Sequence, residues 1–241
     1  MKRAFLLVMI FALCSNSQGQ GNPISQNSIG KVKSKKRLAS VQSTRVLDTD
    51  EFEYDSTGRL MKQMQYMGDK EMVIQYDIFK YDPGGRLMFK LGYHANLNSP
   101  TGFDLLDSTE YFYLGTLLVS EKTIYPMAQF ADSCSYEYEN QFLKKKSKYS
   151  RDKYESSIVY DYDDGLVRTE TSHATGNQVF QTIAHQYKDG LLRESCYYNT
   201  RGFLTRSIVY TYNGAGRLMI LESHEEWIFS NSMSYIFRYE Y

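Results

Sequence analysis

The chain has 241 residues, 42% hydrophobic and 15% aromatic, with 28 basic and 28 acidic side chains in balance. That length suffices to bury a core, and zero net charge excludes a general nucleic-acid binder, which should be clearly basic.

Lys2-Arg3, the apolar run Ala4 to Leu13 and the small polar residues up to Gln20 read as a secretory signal peptide over residues 1–19. The run is too short to span a bilayer as a helix, and no other segment reaches that length. Cys14 raises a lipoprotein alternative, but Leu13 stands where a small residue is expected before a lipidated cysteine. The expected location is secreted, periplasmic or cell surface. Residues 20–45 carry Lys31, Lys33, Lys35, Lys36 and Arg37 with no acidic residue, and are expected to form a flexible basic leader.

From Val46 to Tyr241 one pattern recurs. Tyr54-Asp55-Ser56-Thr57-Gly58-Arg59-Leu60 returns as Tyr81-Asp82-Pro83-Gly84-Gly85-Arg86-Leu87, and with Asn for Asp as Tyr212 to Leu218. Looser copies are anchored on Tyr113, Tyr138, Tyr162 and Tyr187. Two residues before each anchor stands Phe52, Phe79, Tyr111, Tyr136, Tyr160, His185 or Tyr210. Five or six residues after it comes Leu60, Leu87, Val119, Leu143, Val167, Leu192 or Leu218. Six beyond that comes a second ring: Tyr66, Tyr93, Tyr125, Tyr149, His173, Tyr198 or His224. Even intervals place these side chains on one face of a strand, and a helix would scatter them. Asp164-Gly165 and Asp189-Gly190 are tight-turn dipeptides, so each copy reads as a hairpin. The fold expected over 46–241 is an all-β antiparallel meander of about seven two-stranded hairpin repeats, roughly fourteen strands, in a curled or spiral open sheet.

The repeated Tyr-Asp-x-x-Gly-Arg-Leu resembles the RHS/YD-repeat family over roughly residues 46–241. The resemblance implies a β-rich, extracytoplasmic, often envelope-associated protein whose repeats curl into a spiral sheet or shell. The copies are too few to enclose a large cargo, and no autoproteolytic core or toxin-like segment accompanies them, so toxin delivery is not carried over.

The final residues Phe237 to Tyr241 look like the opening strand of an eighth copy without its turn, an exposed edge onto which another chain could add. Ala95 to Phe103, within a longer 95–108 interval, is the one sizeable loop and the place where a specific contact is expected. Cys134 and Cys196 sit about five strands apart, beyond disulfide reach in a simple meander, and are expected to be free thiols. Histidines in aromatic slots carry no nucleophile–base–orienter spacing. Asp161, Asp163 and Asp164, like Asp48, Asp50 and Asp55, fall short of a calcium loop, so no cofactor or metal is expected. The densest charge run, Lys144, Lys145, Lys146 and Lys148 followed by Arg151, would put Lys144, Lys146 and Lys148 on one face. These, with Arg151, are the candidate polyanion-binding residues, for an acidic glycan or lipopolysaccharide.

These features favour a secreted or cell-envelope β-repeat protein, non-catalytic, with a structural or binding role toward a surface glycan or envelope protein. The alternative is an outer-membrane β-barrel, for which the signal peptide, an even strand count and the alternating Met233 to Tyr241 speak. The polar middles of the arms, such as Leu143-Lys145-Ser147-Tyr149, speak against it. A hydrolase of envelope polymers has only scattered carboxylates in its favour.

Overall fold

The structure is a computed structural model that describes residues 32–38, 45–225 and 233–241. The expected signal peptide, 1–19, lies outside the described residues. The chain begins its sheet with β1 (Ser34–Leu38). Seven hairpins follow: β2 (Val46–Tyr54) with β3 (Leu60–Met67), β4 (Met72–Tyr81) with β5 (Leu87–Ala95), and β6 (Phe103–Leu114) with β7 (Leu117–Tyr125). Next come β8 (Phe130–Glu139) with β9 (Phe142–Ser150), and β10 (Lys153–Asp163) with β11 (Leu166–Ala174). The last two are β12 (Val179–Lys188) with β13 (Leu191–Asn199), and β14 (Leu204–Tyr212) with β15 (Leu218–Glu225). A final strand, β16 (Met233–Glu240), completes the set.

All pairings are antiparallel between sequence neighbours, and β1 also pairs with β16, so the sheet is a closed barrel of sixteen strands. Closure corrects the expectation of an open curled sheet of about seven hairpin repeats. It also corrects the expected free edge, because β16 is paired on both sides, with Arg238 opposite both Ile220 and Lys36. Five residues of the expected flexible leader, Ser34 to Leu38, are the closing strand. The seven hairpins thus become eight when β16, from the end of the chain, meets β1 from its beginning.

One device recurs in every hairpin. The register shifts by one residue at Glu53/Tyr54, Lys80/Tyr81, Phe112/Tyr113, Glu137/Tyr138, Asp161/Tyr162, Gln186/Tyr187 and Thr211/Tyr212. A β-bulge bends its strand and increases local twist. Seven bulges at the same height are what a sheet needs in order to coil shut. The third hairpin corrects the sequence alignment: Tyr113 pairs with Leu118, not Val119, because Gly115-Thr116 is a two-residue turn. A slip of one residue reverses the face, so Ile124 takes the outer position and Tyr125 turns inward.

The register fixes inside and outside. Lys90 lies 3.9 Å from Asp77 and 3.5 Å from Asp107, and those aspartates face each other across Gly92. Following Cα partners around the barrel puts Phe79, Glu121, Tyr136, Lys146, Glu170, Ile183, Tyr197, Ile208 and Leu221 on that same buried face. Ile183, Tyr197, Ile208, Leu221 and Tyr239 form its apolar cluster. This face is the interior; the other carries exposed Glu53, Lys80, Lys122 and Glu137.

Candidate functional site

The repeated heptad builds one rim of the barrel. In the first turn Asp55 Oδ1 accepts hydrogen bonds from the Thr57 and Arg59 amides, both at 2.9 Å, and Oδ2 accepts from Arg59 Nε at 2.7 Å. Asp82 repeats this with Arg86, at 2.9 and 2.7 Å. Asn213 keeps only the amide half, accepting from Ala215 and Arg217. Gly85, at φ 86°, takes the left-handed position that the turn demands. The arginine then stacks on the tyrosine of the next hairpin: Arg59 on Tyr81 at 5.2 Å, Arg86 on Tyr113 at 5.5 Å, Arg217 on Tyr241 at 5.6 Å. That tyrosine donates its hydroxyl to the leucine carbonyl of the hairpin before it. The bonds are Tyr81 to Leu60, Tyr113 to Leu87, Tyr138 to Leu118, Tyr162 to Leu143 and Tyr241 to Leu218, at 2.7–3.0 Å. Each heptad is therefore a bracket between neighbouring hairpins. Hydrogen bonds from Thr57 and from the Arg59 amide hold the Asp55 carboxyl well below the usual carboxylate range, and the Arg86 amide and guanidinium do the same for Asp82.

Beside its apolar cluster, the interior wall carries charged pairs. Lys35 pairs with Asp50 at 2.7 Å, Arg37 with Asp48, and Lys146 with Glu121 at 3.4 Å. On three adjacent strands, His185 Nδ1 lies 2.9 Å from Ser195 Oγ and Nε2 lies 3.0 Å from Glu170 Oε1. Sequence reading missed this trio, whose members are 10 and 15 residues apart. The signal was available in the hairpin register set by Asp189-Gly190. Ser195 is buried, and the two contacts hold the imidazole between Ser195 and Glu170 across three strands.

The bulge splits the lysine run. Lys144 reaches Glu139 at 3.6 Å and Lys145 reaches Glu137 at 3.7 Å on the outside. Lys146 and Lys148 turn inward, Lys148 meeting Glu155 at 2.8 Å near the far rim. Arg151 sits at that rim, its guanidinium 5.0 Å from the Phe130 ring, in a shallow cleft with Lys122 and Asp152. The single lysine face is not formed. Among the described residues no group of three His, Cys, Asp or Glu could hold a metal ion. Cys134 and Cys196 are free.

The far rim differs in character. Here Met67, Met72 and Phe180 near strand ends and Leu97, Met127 and Phe203 in turns stand exposed, Leu97 at 96% and Met127 at 70%, among the charged turn residues Asp69, Lys70, Glu71, Arg151, Asp152 and Arg201. Below them on the outer wall stand Tyr66, Tyr93, Tyr149, His173, Tyr198 and His224, by register. The Ala95 to Phe103 loop is held by the Asn96 amide donating to Gly102 O at 2.9 Å, with Leu97 at its tip.

No family model matches the chain, and no curated protein matches it. Among solved structures, a porin-like protein from Bacteroides uniformis shares the fold at a TM-score of 0.57 and 11% identity, covering 88% of this chain and 98% of that one. A porin-like protein from Bacteroides vulgatus aligns at a TM-score of 0.39 and 12% identity, covering 88% and 99%. The TcdB2-TccC3 complex aligns at 0.26 and 8%, covering 85% and 16%. Scores at those two levels bear no weight. A closed sixteen-strand barrel fits the outer-membrane β-barrel alternative better than the open envelope module. It does not fit an RHS/YD-repeat array or a carbohydrate-binding module, and both expectations are corrected by closure. No helix among the described residues is long and apolar enough to cross a membrane, which says nothing of a barrel.

Proposed function

We propose that this chain is a β-barrel of the outer membrane, porin-like in architecture. The observation that carries the reading is closure: sixteen strands, mostly of eight to twelve residues, whose inner wall sets charged pairs beside one apolar cluster. Barrels of this strand number are in the size class that encloses an aqueous interior. Polar side chains inward, as at Asp77, Lys90, Asp107 and Glu121, are the arrangement such an interior requires.

A second reading, a barrel standing in water within the envelope, is favoured by one observation. The outer wall mixes Met64, Ile78, Leu91 and Val159 with Lys62, Lys80, Lys122 and Lys145. A lysine on a lipid face costs about 2–4 kcal/mol at the bilayer midplane. Cross-strand partners, Glu53 for Lys62 and Glu110 for Lys122, reduce that penalty without removing it. Fractionation separates the two. The outer-membrane reading predicts a protein that resists alkaline extraction, needs detergent and migrates faster on gels when unheated. Release into buffer without detergent would support the second reading.

A further inference from the structure

Cations of the inner wall answer one acid apiece at four places. Lys35 faces Asp50 at 2.7 Å, Arg37 faces Asp48, Lys146 faces Glu121 at 3.4 Å and Arg206 faces Glu225 at 4.0 Å. Lys90 instead serves two carboxylates, Asp77 at 3.9 Å and Asp107 at 3.5 Å. One ammonium between two carboxylates leaves a negative charge over.

The two acids lean over the same spot. Asp77, Gly92 and Asp107 form one row across β4, β5 and β6. A methyl group on Gly92 would lie 2.8 Å from Asp107 Oδ2 and 3.0 Å from Asp77 Oδ1, so the missing side chain is what lets the carboxylates converge. Asp107 is 8% exposed, yet its Oδ1 accepts no hydrogen bond among the described residues. The same holds for Oδ1 of Asp77 and, on β8, of Asp132. Buried carboxylate oxygens without a donor are costly, and a cation or its hydration water is the partner they lack. Lys90 keeps 24% of its side chain exposed inside a closed barrel, so water reaches the row from the lumen.

The surplus is one-sided. β14 stands opposite β6 in the ring of sixteen, and there the wall is Ile208 with its apolar neighbours Tyr197 and Leu221. Charge on that side includes the balanced pair of Arg206 and Glu225, while Arg193, on β13, lies over the Tyr212 ring at 5.3 Å. An apolar wall facing a wall of one sign focuses the field into the space between them.

We infer that the lumen passes small cations in preference to anions, and that Asp77 and Asp107, gathered over Gly92, set the preference. The inference rests on the outer-membrane barrel reading and adds the class of solute: inorganic cations and small ammonium ions, with chloride disfavoured. Lys90 tempers the pair by offsetting one of its two charges.

The test reconstitutes the full chain into planar bilayers of phosphatidylcholine. The potassium-to-chloride permeability ratio is read from the reversal potential in a potassium chloride gradient. The inference expects a ratio of at least about three, falling to about one in Asp77→Asn with Asp107→Asn. Lys90→Gln should raise the ratio, an opposition of sign that loosened packing would not produce. Asp161→Asn, on the outer wall beside Arg168, should leave it unchanged. Gel migration with and without heating shows which variants have folded. If the double variant does not fold, Lys90→Gln decides, and a ratio that fails to rise overturns the inference. A starting ratio at or below one, an inserted barrel that carries no current, or a ratio unmoved by the double substitution would each overturn it and leave the barrel standing. A chain that stays in buffer without detergent and never enters the bilayer would overturn the barrel reading and the inference with it.

Discussion

Removing one hydroxyl from the ring of heptad brackets tests whether tyrosines hold neighbouring hairpins together. In Tyr113→Phe the ring keeps its place and Arg86 keeps an aromatic face at 5.5 Å, while the 3.0 Å bond to the Leu87 carbonyl is lost. Tyr113 is part-buried, so the stranded carbonyl is only partly rehydrated, and the cost should be about 1 kcal/mol. The same change at Tyr81, Tyr138, Tyr162 and Tyr241 removes equivalent bonds. Successive anchors sit two strands apart, about 10 Å, so their effects should add. All five together should cost about 5 kcal/mol. Tyr187 is the internal control, since its hydroxyl makes no such bond among the described residues and Tyr187→Phe should be near neutral. The assay is urea unfolding followed by near-ultraviolet circular dichroism at constant slope. The bracket idea fails if Tyr113→Phe is silent, or if Tyr187→Phe costs as much.

The lowered carboxyls of Asp55 and Asp82 make a pH prediction. A depressed folded value stabilises fully above the unfolded value near 3.8, and that stabilisation is lost as pH falls toward the folded value. Unfolding midpoints between pH 2.5 and 5 should fall less steeply in Asp55→Asn with Asp82→Asn, which keep the amide caps as Asn213 does. Gly92→Ala would bring a Cβ within 2.8 Å of Asp107 Oδ2 and 3.0 Å of Asp77 Oδ1, and should destabilise by about 1–3 kcal/mol. In an Asp107→Ala background the same change should cost less, a coupling that a double-mutant cycle measures. Lys146→Gln, which strips Glu121 of its interior partner, should cost about 1–2 kcal/mol, whereas Lys145→Gln on the outer wall should stay within about 0.5 kcal/mol. Equal costs would mean the inside–outside assignment is wrong.

The hairpins were legible because a period of two and a turn dipeptide are local signals. Tyr54, Tyr81 and their equivalents announce the bulge by where they stand, and the Asp-x-x-Gly-Arg turn explains itself through the atoms that Asp55 and Asp82 collect. Closure was not legible. Ser34-Lys35-Lys36-Arg37-Leu38 has no apolar alternation, and its strand identity comes from ion pairs to Asp50 and Asp48, more than ten residues away, and from hydrogen bonding to the other end of the chain. The lysine run misled for a different reason. Counting every second residue put Lys144 with Lys146, but the bulge between them reverses one relative to the other. The His185, Ser195 and Glu170 trio needed cross-strand register, which only a correctly placed bulge supplies.

Everything here depends on the first strand meeting the last. Spin labels at Lys36→Cys and Arg238→Cys, a Cα pair across β1 and β16, read that meeting directly by double electron–electron resonance in the chain with Cys14, Cys134 and Cys196 replaced by Ser. A closed barrel predicts one short, narrow distance at or below about 20 Å, since neighbouring strands lie about 4.8 Å apart and the labels add the rest. A broad distribution centred well beyond that would mean the sheet is open and the barrel account is wrong.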